Sequence, residues 1–197
     1  CIHMRAEPTI WPIHLAPKDL PSGQIHVWRA DIEAAQENNI GRLGDILSDD
    51  ERQRAARFSL EKPRIAYTVA RATLRLLLGH YLGHHPADLR FAYGEHGKPA
   101  LVTGDLQFNL SHSGTLVLLA FAADRPVGVD IEFRRQRVDN EAIARRFFAA
   151  DEVEALQGLP LQNRQEAFFR IWTRKEAYLK ALGDGITVAL DSFSVNL

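Results

Sequence analysis

Three acids and one lysine in the second half of the chain have types and spacing suited to metal and phosphate chemistry. Asp130 and Glu132 lie two residues apart in Pro126–Phe133, which reads as a strand, so both side chains should point to one face. Glu176 and Lys180 lie four residues apart in a helical stretch, roughly 6 Å from each other at Cβ. An all-oxygen set with room for water and phosphate suits Mg²⁺ better than Zn²⁺. A lysine one turn away can meet a phosphate oxygen.

Each of these patterns also has a simpler explanation when it is taken alone. The acid pair can be a solvated strand edge, and the Glu–Lys pair a surface pair worth a few tenths of a kcal/mol. Ser111-His112-Ser113-Gly114 can bind phosphate or a base edge, or can be an ordinary turn. A serine nucleophile is disfavoured because no strained strand–helix elbow with flanking glycines is present. Lys98, between Gly97 and Pro99, lies on a stiff loop that can equally be a plain turn.

Composition places the 197-residue chain among ordinary soluble globular proteins, as one domain or two small halves sharing a core. The net charge of -1 gives no basic field for nucleic acid. Cys1 is the single cysteine, so no internal disulfide can form. No apolar run approaches the roughly 20 residues that span a bilayer, and no signal peptide is visible, so we expect a cytoplasmic protein without a membrane partner. Cys1-Ile2-His3 reads as a cloning remnant before Met4.

The hydrophobic pattern predicts a mixture of helices and strands. Strands are expected at about 25–32, 89–93, 106–110, 116–122, 126–133 and 186–197. Helices are expected at about 48–58, 64–79, 140–147, 151–157 and 163–182. The helix near 48 has a capping box, because Ser48 precedes Glu51 by three residues.

A weak internal repeat predicts an α+β fold made of two similar halves. Asp31-Ile32-Glu33 precedes the first helical region as Asp130-Ile131-Glu132 precedes the second. We therefore expect an extended segment over 1–21, an N-terminal α+β half over 22–124 and a C-terminal half over 125–197. The halves would be related by a pseudo-twofold axis, with the active site in the cleft between them. Two halves in one chain also predict a monomer.

The motifs, taken together and in order, resemble the Sfp-type 4′-phosphopantetheinyl transferases. The matching segments are Gly97-Lys98-Pro99, Phe108 to Gly114, Gly128 to Glu132, Arg146-Phe147-Phe148 with Glu152, Trp172 to Lys180, and Leu190 to Val195. Each motif is weak alone, but all of them occur in the order found in the family, which chance does not readily explain. Members of the family usually continue some tens of residues further, so the resemblance implies that the C-terminal half is truncated here.

The resemblance implies transfer of the phosphopantetheine arm of coenzyme A to a serine of an acyl or peptidyl carrier protein, with release of 3′,5′-ADP. It implies that Asp130, Glu132 and Glu176 are magnesium ligands and that Lys180 contacts the phosphates. Further coenzyme A contacts are implied at Lys98, Ser111, His112 and Arg54. Glu176, Glu152 or a metal-bound water would take the serine proton.

Two other functions remain open from the sequence. The chain could be a non-catalytic relative of the same fold that binds coenzyme A or a carrier protein, or a purely structural α+β protein. The four residues Asp130, Glu132, Glu176 and Lys180 argue against the loss of catalysis. Fatty-acid, polyketide and nonribosomal-peptide carriers all fit the resemblance.

Overall fold

The computed structural model describes residues 18–37, 40–95, 97–134, 139–183 and 188–197. Five strands are present in these ranges: β1 Ile25–Asp31, β2 Phe91–Tyr93, β3 Pro99–Leu101, β4 Gln107–Ser113 and β5 Leu116–Ala122. Seven α-helices are present there: α1 Ile32–Glu37, α2 Ile40–Ile46, α3 Asp49–Ala56, α4 Glu61–Leu82, α5 Asn140–Phe147, α6 Ala150–Gln157 and α7 Leu161–Leu182. The α+β class expected from the sequence is confirmed.

The chain divides into two compact units. Of the described residues, the first contains 18–20, 29–37, 40–89 and 115–117, and the second contains 21–28, 90–95, 97–114, 118–134, 139–183 and 188–197. Of the extended segment expected over 1–21, residues 1–17 lie outside the described residues.

The first unit is built on the 22-residue helix α4, against which α1, α2 and α3 pack. Helix α4 begins three residues earlier than the sequence predicted. It includes Pro63 in its first turn, where the missing N–H is tolerated. Its buried face consists of Val69, Ala72, Leu74, Leu77 and Leu78, each at most 1% exposed.

A buried charge network fastens α3 to α4 within the first unit. Glu51, only 1% exposed, accepts hydrogen bonds from Arg71 Nε at 2.7 Å and Arg75 Nε at 2.5 Å. Its Oε2 also accepts from Ser48 N at 3.1 Å, the capping-box contact that the sequence predicted. Burial favours the neutral carboxyl, but the two guanidinium groups outweigh it and lower the pKa of Glu51. These arginines therefore stabilise the unit and are not displayed as a basic surface.

The strands form two sheets. One sheet has the order β1-β5-β4, and the other pairs β2 with β3 in antiparallel fashion, with Ala92 opposite Ala100. Strand β4 runs through Ser113, so the Ser-His-Ser motif continues a strand and is not itself a turn. The turn follows at Gly114, whose φ of +61° favours glycine.

The helices of the second unit pack around an aromatic core. Helices α5 and α6 both contact α7. The rings of Phe148 and Phe168 stack at 5.2 Å, and Phe168 stacks on Trp172 at 5.9 Å. Leu156 and Ile171 complete the buried cluster. Phe168, Ile171 and Trp172, which recur with helical spacing in the sequence, thus form the side of α7 that faces this core.

Two strand predictions are wrong. Residues 126–133 belong to no strand, and two of their backbone N–H groups donate to side chains of β4 instead, Val129 N to Asn109 Oδ1 and Phe133 N to Ser113 Oγ. Of the strand expected over 186–197, residues 186 and 187 lie outside the described ranges, and the remainder contains a 3-10 turn, Leu190–Ser192. Across the ranges that the structure covers, no helix has the length and apolar character needed to cross a bilayer.

Candidate functional site

Asp130, Ser111 and Lys180 form a compact polar cluster in the second unit. Lys180 Nζ lies 2.5 Å from Asp130 Oδ1 and donates to Ser111 Oγ at 3.0 Å. Ser111 Oγ donates in turn to the same oxygen, Asp130 Oδ1, at 2.9 Å. The Asp130 side chain is 4% exposed and that of Lys180 is 31% exposed. The Lys180 side chain is therefore partly exposed, while the carboxylate it contacts is buried.

The second carboxylate oxygen of Asp130 is available for a further ligand. Asp130 Oδ2 is buried and accepts no hydrogen bond from any described residue. A buried carboxylate oxygen without a partner is costly, and a cation at that position would remove the cost.

Glu176 lies within electrostatic reach of the same acids. Burial raises the pKa of Glu176, the charges of Asp130 and Glu132 raise it further, and Lys180 opposes them. The three predicted metal ligands thus influence one another through their charges. Within the described parts of the chain, however, no three His, Cys, Asp or Glu side chains are gathered closely enough to enclose an ion.

The donor chemistry fits a hard divalent cation such as Mg²⁺. The candidate ligands are all carboxylate oxygens, and Asp130 Oδ2 is the observation on which the fit rests. The remaining acids would need side-chain rotations to join it, since Glu132 Oε2 now accepts from Ser113 Oγ at 3.3 Å. Its exposed position leaves room for such a rotation.

His112 lies on β4 next to the cluster, between Ser111 and Ser113, with an exposed side chain. Partial loss of hydration, and then the positive charge of Lys180, lower the pKa of His112. A neutral imidazole beside Lys180 can accept or donate one hydrogen bond without adding charge.

Lys98 caps the C-terminal end of α7. Its Nζ donates to the carbonyl oxygens of Lys180 at 2.6 Å and Ala181 at 3.0 Å. An ammonium at this end stabilises the helix because the last carbonyls lack intrahelical partners and carry partial negative charge. Burial lowers the pKa of Lys98. The structure thus brings Lys98 to the helix that carries Lys180, in a contact that the sequence did not predict.

Glu152 lies in a buried ion pair with Lys175, whose importance the sequence analysis missed. Lys175 Nζ is 2.7 Å from Glu152 Oε2, and the two side chains are 0% and 2% exposed. Glu152 Oε2 also accepts from Ala149 N at 2.9 Å, and Oε1 accepts from Val195 N at 2.8 Å. Both carboxylate oxygens are therefore occupied. The signal for Lys175 was its place on the same helical stripe as Ile171 and Leu179, which predicts burial.

Arg54 belongs to the first compact unit. Its guanidinium carbon lies 5.7 Å from the centre of the Tyr67 ring, a cation–π arrangement. Arg54, Arg57 and Phe58 line an open cavity with two positive charges and one aromatic ring. Such a cavity has the chemistry to receive a phosphate or a purine.

Gly128 allows the segment that carries Asp130 to approach α7 closely. A Cβ atom at this position would lie 1.9 Å from Ala177 O and 2.5 Å from Ala181 N. Both are backbone atoms of the helix that carries Glu176 and Lys180, so they cannot rotate away. Because Gly128 has no side chain, the segment that carries Asp130 can approach the helix that carries Glu176 and Lys180.

Substitution of Gly128 with alanine is expected to lower the free energy of unfolding by about 3 kcal/mol, the upper part of the usual overpacking range. Thermal unfolding measures the loss. Gly44→Ala is the control, because nothing lies within 4 Å of its added Cβ and the residue is in α2. That control should be neutral or stabilising by up to about 1 kcal/mol. Equal melting temperatures for the two variants would contradict the close approach.

Two family models match the chain in tandem. The model described as "4'-phosphopantetheinyl transferase, N-terminal" matches residues 34–124. The model described as "4'-phosphopantetheinyl transferase superfamily" matches residues 126–197 and so includes Asp130, Glu176 and Lys180.

Individual relatives carry the same description. The chain is 44% identical to 4'-phosphopantetheinyl transferase HetI of Nostoc sp. over 171 residues, which cover 85% of this chain and 72% of that protein. It is 32% identical to 4'-phosphopantetheinyl transferase Sfp of Bacillus subtilis over 164 residues, 83% of this chain and 71% of Sfp. It is 33% identical to 4'-phosphopantetheinyl transferase psf-1 of Bacillus pumilus over 159 residues, 80% and 67% of the two chains. With this identity over most of its length, the chain belongs to the 4'-phosphopantetheinyl transferase family.

Proposed function

We propose that the chain transfers the 4′-phosphopantetheine arm of coenzyme A to a serine of an acyl or peptidyl carrier protein in a Mg²⁺-dependent reaction. Transfer to a carrier follows from membership of the family. The observation that carries the Mg²⁺ proposal is the cluster of Asp130, Ser111 and Lys180, with Asp130 Oδ2 left without a partner. The transfer would release 3′,5′-ADP.

The reaction forms one bond and breaks one. The carrier serine oxygen attacks the β-phosphorus of coenzyme A, and the bond from that phosphorus to the oxygen bridging to the α-phosphate breaks. Mg²⁺ held by Asp130, Glu132 and Glu176 would neutralise and orient the pyrophosphate. Lys180, whose side chain is partly exposed, is proposed to turn from Asp130 to a phosphate oxygen and to offset charge on the leaving 3′,5′-ADP.

Glu176 is the proposed acceptor of the serine proton. Its raised pKa makes it a better proton acceptor than an ordinary carboxylate. Glu152 and a metal-bound water are the other candidates from the sequence. The two carboxylate oxygens of Glu152 already accept from Lys175, Ala149 N and Val195 N, so Glu176 is preferred to Glu152.

Four residues are proposed to contact coenzyme A. Ser111 and His112 are placed on β4 beside Lys180, and Lys98 lies at the end of the helix that carries it. Arg54 contributes from the basic, aromatic cavity of the first unit. The charge of the two basic side chains suits the phosphates of the substrate.

Intact mass of apo carriers after incubation with the chain and coenzyme A tests the proposal. Acyl carriers of the fatty-acid and polyketide types and a peptidyl carrier should be assayed in parallel, with Mg²⁺ or with EDTA, while released 3′,5′-ADP is quantified by chromatography. We expect at least one carrier to gain the mass of phosphopantetheine only when Mg²⁺ is present. No gain on any carrier would refute transfer, and an undiminished gain in EDTA would refute the metal requirement.

The Lys98→Met variant distinguishes two roles of Lys98, capping of α7 and contact with coenzyme A. Loss of two charge-assisted bonds to α7 should lower the free energy of unfolding by about 1 kcal/mol. Loss of a phosphate contact should also raise the KM for coenzyme A several-fold. The exposed Lys18→Met should change neither quantity. A destabilised Lys98→Met variant with the KM of the unaltered chain would limit Lys98 to capping.

Three broader expectations accompany this function. We propose the boundary between the halves near residue 124, a pseudo-twofold relation between them with the active site in their cleft, and a monomeric state. The family matches that end at 124 and begin at 126 support the boundary.

Sedimentation velocity would test whether the chain is a monomer. The cytoplasmic location inferred from the sequence stays a prediction that fractionation of cells can test.

A further inference from the structure

Alternate side chains of β4 bind successive parts of the segment 129–133. Asn109 Oδ1 accepts from Val129 N at 2.9 Å. Ser111 Oγ donates to Asp130 Oδ1 at 2.9 Å. Ser113 Oγ accepts from Phe133 N at 2.9 Å and contacts Glu132 Oε2 at 3.3 Å. We call these three side chains, Asn109, Ser111 and Ser113, the β4 ladder.

The β4 ladder takes the place of a backbone strand pairing. Side chains at i, i+2 and i+4 of a strand share one face, and here that face is entirely polar. The segment they bind is assigned to no strand, although its sequence alternates like one. Asn109 and Ser113 therefore supply acceptors for two backbone N–H groups, those of Val129 and Phe133, while Ser111 binds the Asp130 side chain.

The ladder and α7 hold the segment from different directions. Gly128 lies against the backbone of Ala177 and Ala181, and the Phe133 ring would lie 3.2 Å from a Cβ placed at Gly114. Between these fixed ends the Asn109 and Ser113 contacts lie on either side of Asp130. A shift at either contact would move the Asp130 carboxylate relative to Lys180 and Glu176.

We infer that Asn109 and Ser113 are positioning residues for the transfer reaction, holding the backbone on both sides of Asp130 so that the acids meet the metal and α7. This inference rests on the proposed function for its catalytic readout. Neither residue is assigned contact with coenzyme A or with the metal. Ser113 is the sharper test, because it is part exposed and its removal leaves no large cavity.

The test compares Ser113→Ala, the conservative Ser113→Thr and the matched control Ser192→Ala. Ser192 also donates one hydroxyl bond, to Ala189 O at 2.7 Å, but lies outside the ladder. Steady-state transfer gives kcat and the KM for coenzyme A, and calorimetry with Mn²⁺ on the full chain measures metal binding directly. Thermal unfolding of each variant is recorded alongside.

We expect Ser113→Ala to lower kcat and the Mn²⁺ affinity by about 5-fold to 10-fold, the effect of one net hydrogen bond. The KM for coenzyme A should stay close to that of the unaltered chain, and the melting temperature should change no more than in Ser192→Ala. Ser113→Thr, which keeps the hydroxyl, should restore both losses. Asn109→Ala should repeat the pattern at the other end of the ladder.

Three outcomes decide the inference. Unchanged kcat and Mn²⁺ affinity in Ser113→Ala and Asn109→Ala would overturn it, as would losses that Ser192→Ala shares. Weaker Mn²⁺ binding in the ladder variants, in a chain that labels no carrier, would support the ladder while refuting the proposed function. A chain that neither transfers nor binds Mn²⁺ would refute both.

Discussion

Replacement of Asp130 with asparagine should lower phosphopantetheine transfer by about 10²-fold to 10³-fold or more, which is typical for loss of an electrostatic group at a reacting centre. The amide keeps the shape of the side chain but removes the charge that Lys180 and a cation would share. It also loses the orphaned anionic oxygen, Oδ2, on which the metal assignment depends. Time courses of carrier mass gain at saturating coenzyme A measure the effect.

The same assay on two further variants makes the result specific. Glu176→Gln should be comparably impaired, because it removes both a proposed ligand and the proposed base. Glu154→Gln removes an exposed carboxylate on α6 and should leave transfer unchanged. Circular dichroism and thermal unfolding confirm that each variant is folded. Labelling by folded Asp130→Asn at the rate of the unaltered chain would exclude Asp130 from the metal site.

The helices of the second unit could be predicted from the sequence almost to the residue. The expected helix at 140–147 is α5, and those at 151–157 and 163–182 begin one and two residues later than α6 and α7. Their apolar residues recur with a helical period and pack on one core, so pattern and packing agree. The apolar run 116–122 likewise coincides with β5.

The segment 126–133 shows why the strand prediction failed there. Alternation predicts which side chains share a face, and Asp130 and Glu132 do both face β4. Alternation does not reveal what binds the backbone, which here is an amide and a hydroxyl. The strand prediction for 186–197 failed for a similar reason. The carbonyl oxygens of Leu190 and Phe193 accept hydrogen bonds from the Lys175 side chain and do not pair in a sheet.

The sequence named the candidate site residues but not the contacts among them. The structure joins Ser111, Asp130 and Lys180, residues that the sequence had linked only through the motif order. The partners of the two lysine side chains, Lys98 and Lys175, could not be predicted from the sequence. The ammonium of Lys98 binds helix carbonyls, and that of Lys175 is buried, because each flexible side chain reaches several acceptors that only the fold places.

Glu152→Ala should lower the free energy of unfolding by about 3–5 kcal/mol, because it leaves the buried ammonium of Lys175 without its counter-charge. The loss extends to the C-terminal segment, which Glu152 holds through Val195 N and Lys175 holds through Leu190 O. Urea unfolding measures the change. Glu141→Ala, which breaks solvent-accessible pairs with Arg145 and the half-buried Arg164, is the control and should cost about 1 kcal/mol or less. Similar costs for the two substitutions would contradict a buried pair.

The double variant Glu152→Leu with Lys175→Met separates stability from catalysis. Apolar replacement of both members of a buried pair is often neutral, so the double variant should recover much of the stability that Glu152→Ala loses. With Glu176 as the base, the recovered variant should transfer phosphopantetheine within a few-fold of the unaltered rate. A stable double variant with transfer reduced about 10²-fold or more would assign the proton to Glu152, since general-base catalysis contributes about that much. The buried pair would then be the site at which the serine loses its proton, and Glu176 would be left with the metal alone.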